Sequence, residues 1–189
     1  VAVVPLQPDV SGFSRTAQLL GRRRAMLDMA RAAPDRVAVY GIENGASTPI
    51  YVHAKTCNVD DTWTTIGSDN FNRRSWTHDS ELSAVVVDRA GNLARTLRLT
   101  LAAEHLGRDA DDVDDCVEPS GMFAAYAGCA AALDGWHAAG RSGPRPPGRL
   151  RRLDPPEVGR LARALALPFY LTAHDPDGRP KPLRKRDGF

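Results

Sequence analysis

Four polar side chains that suit the handling of a phosphate lie in the stretch 52–70. His53 and Lys55 are two residues apart, and so are Ser68 and Asn70. The lysine can neutralise non-bridging phosphate oxygens, and the hydroxyl and the amide can donate hydrogen bonds to them. The imidazole of His53 can attack phosphorus or move a proton. The stretch predicts a phosphate or phosphodiester site in which lysine supplies the positive charge, so neither a metal nor a cofactor is expected.

The predicted strands bring these residues together. Two runs rich in β-branched residues meet at Asp60, which predicts a tight hairpin. Because side chains alternate along a strand, His53 and Lys55 should project from one face and Asp60 from the other. Asp60 is therefore assigned a structural role in the turn, and Gly67 is expected to permit a tight turn of the backbone after the second strand.

A catalytic histidine needs a partner that fixes its tautomer, usually a carboxylate on the second ring nitrogen. Glu81 begins the next predicted strand, at the sheet end where Ser68 and Asn70 emerge. It is the candidate partner of His53. Asp79 is a weaker candidate, because a solvated charge at a strand end is its simpler interpretation.

The elements around the site follow from the hydrophobic spacing. Residues 1–107 show, in order, a strand (1–6), a helix (12–33), a strand (36–42), the hairpin (50–66), a strand (81–88) and a helix (91–107). This order predicts an α/β sandwich lobe with a mixed sheet flanked by helices. Residues 108–189 are predicted to form a small helical extension, with helices at 122–138 and 157–167, an exposed Pro/Gly/Arg connector between them and a basic tail.

Composition limits the class of protein. Hydrophobic residues make up 42% and charged residues 25% of the 189 residues, as in ordinary globular proteins. The net charge of +2 does not by itself favour nucleic acid, and three cysteines without a Cys-x-x-Cys pair predict neither a disulfide framework nor a zinc site.

No apolar run has the length of a membrane span, which favours a soluble, cytoplasmic or membrane-peripheral protein. The absence of an initiator Met predicts a truncated chain, with any targeting signal upstream.

The spacing resembles the HKD motif of the phospholipase D superfamily. That motif reads His-x-Lys, four residues, Asp, six residues, Gly-Ser-x-Asn, and it is matched without a gap by His53, Lys55, Asp60, Gly67, Ser68 and Asn70. The flanking segments IYVHAK, NRRSWTHDSELSAVVVD and LRLTLAAEHLG are similar to the carboxy-terminal repeat of phospholipase D enzymes proper, more than to the short bacterial nucleases of the superfamily. The resemblance covers residues 1–107.

The resemblance implies hydrolysis or transphosphatidylation of a phospholipid through a phosphohistidine. Family members carry two such motifs, whose histidines face one phosphate, whereas this chain contains a single His-x-Lys. The chain is therefore expected to supply the second half-site, with His53 as general acid and base and the nucleophile on an N-terminal HKD lobe of the same polypeptide. In the alternative arrangement two copies pair as a homodimer, and His53 is the nucleophile in one subunit and the acid in the other.

Other functions stay open at this point. A cardiolipin-synthase-like phosphatidyltransferase and a phosphodiesterase or nuclease belong to the same superfamily, and a catalytically silent half-domain is a third alternative. The expected partner is a phospholipid at a membrane surface rather than nucleic acid, and the isolated chain is expected to be inactive. Arg73 and Trp76 are weaker substrate-binding candidates. The arginine could contact a head group, and the tryptophan could contact lipid or the missing lobe.

Overall fold

A computed structural model describes residues 1–184, and these residues form a mixed α/β fold with two sheets. The strands are β1 (Ala2–Val3), β2 (Val39–Glu43), β3 (Pro49–Ile50), β4 (Lys55–Val59), β5 (Trp63–Gly67), β6 (Ser83–Val87) and β7 (Leu150–Arg152). The α-helices are α1 (Gly12–Ala32), α2 (Arg73–Thr77), α3 (Asn92–Leu106), α4 (Pro119–Ala138), α5 (Arg160–Phe169) and α6 (Lys181–Arg184). A 3-10 turn lies at Asp114–Cys116, and a π-helical turn at Tyr170–His174 follows α5. Five residues of the predicted basic tail, 185–189, lie outside the described residues.

The first sheet, here called the core sheet, consists of β1, β2, β3 and β7. Strand β2 lies in its middle, parallel to β1 and antiparallel to β3 and β7. All five residues of β2 are buried, as expected for a strand covered on both faces. The main hydrophobic core joins this strand to α3, to α4 and to β7, for example through Tyr40, Tyr126 and Leu150. The predicted mixed sheet flanked by helices is confirmed.

The second sheet, here called the motif sheet, is the antiparallel order β4–β5–β6. A three-residue loop joins β4 to β5, and its residues Asp60 and Asp61 have φ values of 52° and 54°. Aspartate tolerates this left-handed conformation better than most residues do, which explains the two acidic residues at the turn. The structure confirms the predicted hairpin and the position of Asp60 within it.

The segment after Gly107 is more than the predicted helical extension. It contributes β7, whose residue Leu150 is fully buried and pairs with Ile42 of β2. The Pro/Gly/Arg connector was expected to be exposed, but its end is not: Gly148 is buried, at a φ of 89°, where a Cβ would overlap Cys129. A strand of three residues carries no periodicity that a sequence pattern could reveal. The two predicted parts, 1–107 and 108–189, therefore share one core over the described residues.

A buried carboxylate holds this shared core together. Glu43, only 1% exposed, accepts hydrogen bonds from His137 Nε2 at 2.9 Å, from Arg145 at 3.2 Å and from Arg151 at 3.0 Å. Burial favours protonation of this carboxyl, but the hydrogen bonds from the three donors outweigh it, and the pKa of Glu43 lies below its ordinary value. The Glu43 carboxylate on β2 thus joins α4 and the connector to the core sheet and adds a side-chain contact between β2 and β7.

Candidate active site

Lys55, Gly67 and Ser68 lie at one end of the motif sheet. Lys55, the first residue of β4, is paired with Gly67, the last residue of β5. This register brings the segment that carries His53 beside the segment that carries Ser68. The Lys55 ammonium donates to the backbone carbonyl of His53 at 2.7 Å, so the cation lies next to the imidazole-bearing residue. The strand register therefore makes neighbours of the two sequence segments that contain the spaced pairs His53/Lys55 and Ser68/Asn70.

His53 itself does not lie on a strand, contrary to the predicted strand parity. Residues 51–54 have no regular structure, because β3 pairs with β2 of the core sheet while β4 pairs with β5 of the motif sheet. The chain crosses from one sheet to the other at His53. Its exposed ring lies 5.8 Å from the ring of Tyr51, centroid to centroid. The alternation argument therefore does not apply to His53, and the contact between the two residues runs from the Lys55 ammonium to the His53 backbone carbonyl.

Ser68 is fixed by the two residues that precede β6, Glu81 and Leu82. Its amide donates to the Leu82 carbonyl at 3.0 Å, and its hydroxyl oxygen accepts from the Leu82 amide at 3.0 Å. The hydroxyl donates to Glu81 Oε2 at 2.6 Å. Over residues 1–184, the hydrogen bond of the Glu81 carboxylate is thus to Ser68 and not to the His53 ring. The role of Glu81 toward that ring stays a prediction.

Gly67 is needed for a different reason from the predicted one. It lies within β5, and a Cβ there would overlap both the backbone and the side chain of Ser83 on β6. The close approach of two strands, rather than a positive φ, requires glycine at this position. Ser83 in turn donates a hydrogen bond to Asp69, which lies between the two motif residues Ser68 and Asn70.

Asn70 is supported by the short helix α2, which lies between the predicted hairpin and the predicted strand 81–88. Its side-chain amide donates to Ser75 Oγ at 3.4 Å, and Ser75 is buried. The N-cap residue of α2 is Asn72, whose side chain accepts from the Ser75 amide at 2.8 Å. An asparagine N-cap is a signal that the sequence carried and that could have predicted this helix.

The two weaker candidates differ in their surroundings. Arg73 is occupied: its guanidinium donates to the Asp175 side chain at 3.3 Å and to the Asp175 carbonyl at 2.5 Å, and it lies 5.5 Å from the centre of the Tyr170 ring. Trp76 is 49% exposed and packs edge-on against Phe71, which is 78% exposed. A substrate contact of either residue stays a prediction. Asp175 was missed, because it lies 102 residues from Arg73 and no local pattern connects them.

The motif sheet is attached to the core by polar contacts. Asp61, in the hairpin loop, accepts two hydrogen bonds of 2.6 Å from Arg98 of α3. Arg98 also donates to the carbonyls of Cys116 and Val117. The hydrogen bond with Arg98 holds the pKa of Asp61 below its ordinary value. Asn58 of β4 adds a hydrogen bond of 2.6 Å to the Ala94 carbonyl. This attachment was also missed, because Asp61 and Arg98 are 37 residues apart.

Two further observations concern metals and membranes. Among residues 1–184, no three His, Cys, Asp or Glu side chains are grouped as metal ligands. Within the same part of the chain, every helix is too short or too polar to cross a membrane.

Comparison with known proteins agrees with this geometry. A family model described as "Cardiolipin synthase, PLD-like domain" matches residues 19–101, a range that contains the whole motif. The chain carries a phospholipase D-like region.

Curated relatives are phospholipase D proteins from plants and fungi, among other organisms. Phospholipase D zeta 1 of Arabidopsis thaliana is 33% identical over 46% of this chain and 10% of its own length. Phospholipase D1 of Schizosaccharomyces pombe is 42% identical over 33% of this chain and 6% of its own length. Phospholipase D of Phytophthora infestans is 39% identical over 39% of this chain. The phospholipase D-like region therefore corresponds to about a tenth or less of the relatives that it matches.

Proposed function

We propose that this chain supplies one half of a phospholipase D-type active site that cleaves or transfers the phosphodiester of a phospholipid. The observation that carries the proposal is the pairing of Lys55 with Gly67, which brings the segment that contains His53 and Lys55 beside the segment that begins with Ser68. The family match and the phospholipase D relatives support the same chemistry. The proposed substrate is a phospholipid at a membrane surface.

The proposed reaction has two steps. In the first, a nucleophilic histidine of the other half-site forms a bond to phosphorus while the bond to the head-group oxygen breaks, and His53 gives its proton to the departing alkoxide. In the second, His53 takes a proton from water or an acceptor alcohol, whose oxygen attacks phosphorus and displaces the histidine nitrogen. Lys55 and Asn70 stabilise the charge on the non-bridging oxygens throughout. Glu81 accepts the one proton of the Ser68 hydroxyl and so fixes Ser68 beside these groups, while the donors to the phosphate are Lys55 and Asn70.

The first experiment tests the half-site directly. Glycerophosphocholine, a soluble phosphodiester, is titrated into the chain while the resonances of His53, Ser68 and Asn70 are followed by NMR. We expect shifts confined to the motif, at least about tenfold weaker binding for Lys55→Met because a charged hydrogen bond is lost, and wild-type binding for Lys181→Met. No shift at the motif at saturating ligand would contradict a phosphodiester site.

The second experiment tests turnover and stoichiometry. Choline release from phosphatidylcholine is measured over a range of chain concentrations, together with the mass of the chain in solution. A monomer without turnover is expected if an N-terminal HKD lobe must complete the site. A dimer whose rate per chain rises with concentration would favour the homodimer. Activity that survives His53→Ala, with His78→Ala as the matched control, would exclude the proposed role of His53.

A second candidate function is supported by the description of the matched family model, which names cardiolipin synthase. Phosphatidyl transfer uses the same half-site, with an alcohol in place of water in the second step. Phosphatidylglycerol as both donor and acceptor distinguishes the two: a diphosphatidyl product indicates the transferase, and choline release from phosphatidylcholine indicates the hydrolase. Cleavage of a single-stranded oligonucleotide instead would indicate the nuclease alternative. Phosphodiester binding without turnover after a complementing lobe is added would indicate a silent half-domain.

A further inference from the structure

A buried carboxylate far along the chain contacts the helix that supports the motif. Asp175 is only 4% exposed. Its Oδ1 atom accepts from the Arg74 amide at 2.8 Å, and its Oδ2 atom accepts from the Tyr170 hydroxyl at 2.8 Å and from Arg73 Nε at 3.3 Å. The carboxylate is therefore surrounded by donors from α2 and from the π-helical turn.

These contacts matter because α2 has only five residues. A helix of this length has no stability of its own, and the free N–H groups of its first turn need acceptors. Asp175 satisfies the Arg74 amide and Asn72 satisfies the Ser75 amide, both in the first turn. Of the two acceptors, Asn72 is local in sequence, whereas Asp175 is supplied from 101 residues away.

The same C-terminal segment also contacts the other end of α2. The Gly178 amide donates to Thr77 Oγ1 at 2.8 Å, and a Cβ at Gly178 would overlap the Thr77 carbonyl. We call residues 175–178 the C-terminal brace. It touches α2 at its first turn and at its last residue, so the helix is held against the brace along its whole length.

Helix α2, held by the C-terminal brace, in turn contacts the motif. Ser75, buried in the middle of α2, is the acceptor for the side-chain amide of Asn70. Displacement of α2 would move the Ser75 hydroxyl and leave the Asn70 amide free to rotate. The contacts thus run without a break from Asp175 through α2 to Asn70.

We propose that Asp175 is a positioning residue of the phospholipase D-type site: it holds α2 so that Asn70 presents its amide to the phosphate. The inference rests on the function proposed above, in which Asn70 is a phosphate ligand. It also assigns a role to the segment beyond the family match, which ends at residue 101.

The protonation of Tyr170 fits this role. Burial, and after it the hydrogen bond with Asp175, raises the pKa of Tyr170 to about 12. The hydroxyl is therefore a donor to Asp175 at every pH at which the site would work. The brace does not titrate through Tyr170 near neutral pH.

The test compares Asp175→Asn with Asp154→Asn, a matched control at an exposed carboxylate. Hydrogen exchange of the Arg74 amide reports on α2, the side-chain amide resonance of Asn70 reports on the motif, and a glycerophosphocholine titration reports on binding. For Asp175→Asn we expect Arg74 exchange to be at least about tenfold faster, a shifted Asn70 resonance and several-fold weaker binding. Asp154→Asn should behave as the wild type.

Two further variants keep the test decisive. Ser75→Ala removes the contact between α2 and Asn70 but leaves the contact between Asp175 and α2. It should therefore reproduce the Asn70 shift and the weaker binding while Arg74 exchange changes little. Tyr170→Phe removes one donor and should give a smaller change of the same kind, which can be read even if Asp175→Asn fails to fold.

The outcomes separate the brace from the proposed function. Faster Arg74 exchange with an unchanged Asn70 resonance in Asp175→Asn would overturn the inference, since Asp175 would then only stabilise the helix. If the wild type does not bind the phosphodiester at all, the proposed function fails, and with it the catalytic meaning of the positioning. The Asn70 resonance still decides whether the brace orients this side chain.

Discussion

The core sheet and the motif sheet are built in opposite ways. In the core sheet, every residue of β2 is buried, and its apolar side chains share one core with α3 and α4. In the motif sheet, four of the five residues of β6 are exposed, and Val85 and Val87 are 55% and 67% exposed. Apolar burial therefore stabilises the first sheet, whereas the second depends on its own hydrogen bonds and on a few polar contacts with α3.

Because of this difference, the residues that stabilise the fold and the residues that could handle a phosphate lie in different sheets. The residues that could handle a phosphate lie at the end of the exposed sheet, where a ligand can reach them. The polar contacts that orient this sheet, Asp61 with Arg98 and Asn58 with Ala94, lie at its hairpin and at its packed face. Changes in the core sheet should therefore affect folding, and changes at the polar contacts should mainly affect the arrangement of the motif.

The largest effect is expected at the buried carboxylate of the core sheet. Glu43→Ala should lower the free energy of unfolding by about 4 kcal/mol, because three partly buried donors lose the acceptor that they share. Urea denaturation measures the change, and Asp154→Ala at an exposed position is the control. A loss below about 1 kcal/mol would show that the donors find water or other acceptors.

One apolar residue from each sheet tests how much burial stabilises that sheet. Leu150→Ala, at a fully buried position of β7, should lower the free energy of unfolding by about 3 kcal/mol through lost burial and a cavity. Val85→Ala, at an exposed position of β6, should cost less than about 1 kcal/mol. Equal losses for the two variants would mean that the open face of the motif sheet is covered in solution.

The attachment of the motif sheet can be broken at Arg98. Arg98→Met leaves Asp61 without its partner and should lower the free energy of unfolding by about 2 kcal/mol. Hydrogen exchange should accelerate more in β4, β5 and β6 than in β2. Arg160→Met, at an exposed position of α5, is the control. Uniform acceleration in both sheets would show that they open as one unit.

The smallest effect is a dependence on pH at the same contact. The pKa of Asp61 is lower in the folded protein than its ordinary value of 3.8. The contact with Arg98 therefore stabilises the fold fully at pH values above 3.8, and this stabilisation is lost as the pH falls through the lower pKa of the folded state. The difference in free energy of unfolding between wild type and Asp61→Asn should shrink by about 1 kcal/mol from pH 5 to pH 2. If this difference in free energy of unfolding stays constant with pH, the ionised Asp61 carboxylate does not contribute to the attachment of the motif sheet.

Local patterns predicted much of this structure. The helix expected at 12–33 is observed at Gly12–Ala32, and the helix expected up to Gly107 ends at Leu106, with Gly107 at a φ of 66°. The hairpin at Asp60 is also confirmed. In each case the signal is contained in a few neighbouring residues: apolar spacing, a C-cap glycine or an acidic turn. Strand β7 was not predicted, because three residues are too short for a periodic signal. Helix α2 is also too short for one, and its local signal was the N-cap residue Asn72 alone.

The sequence by itself determined which residues could carry the chemistry, since the types and spacing of His53, Lys55, Ser68 and Asn70 depend on no fold. Only the tertiary structure decided what supports them. It placed His53 on a crossing between sheets, Glu81 on Ser68, and Asp175 beneath α2. These supports join residues up to 102 positions apart, and such contacts arise from the packing of whole elements rather than from any local pattern.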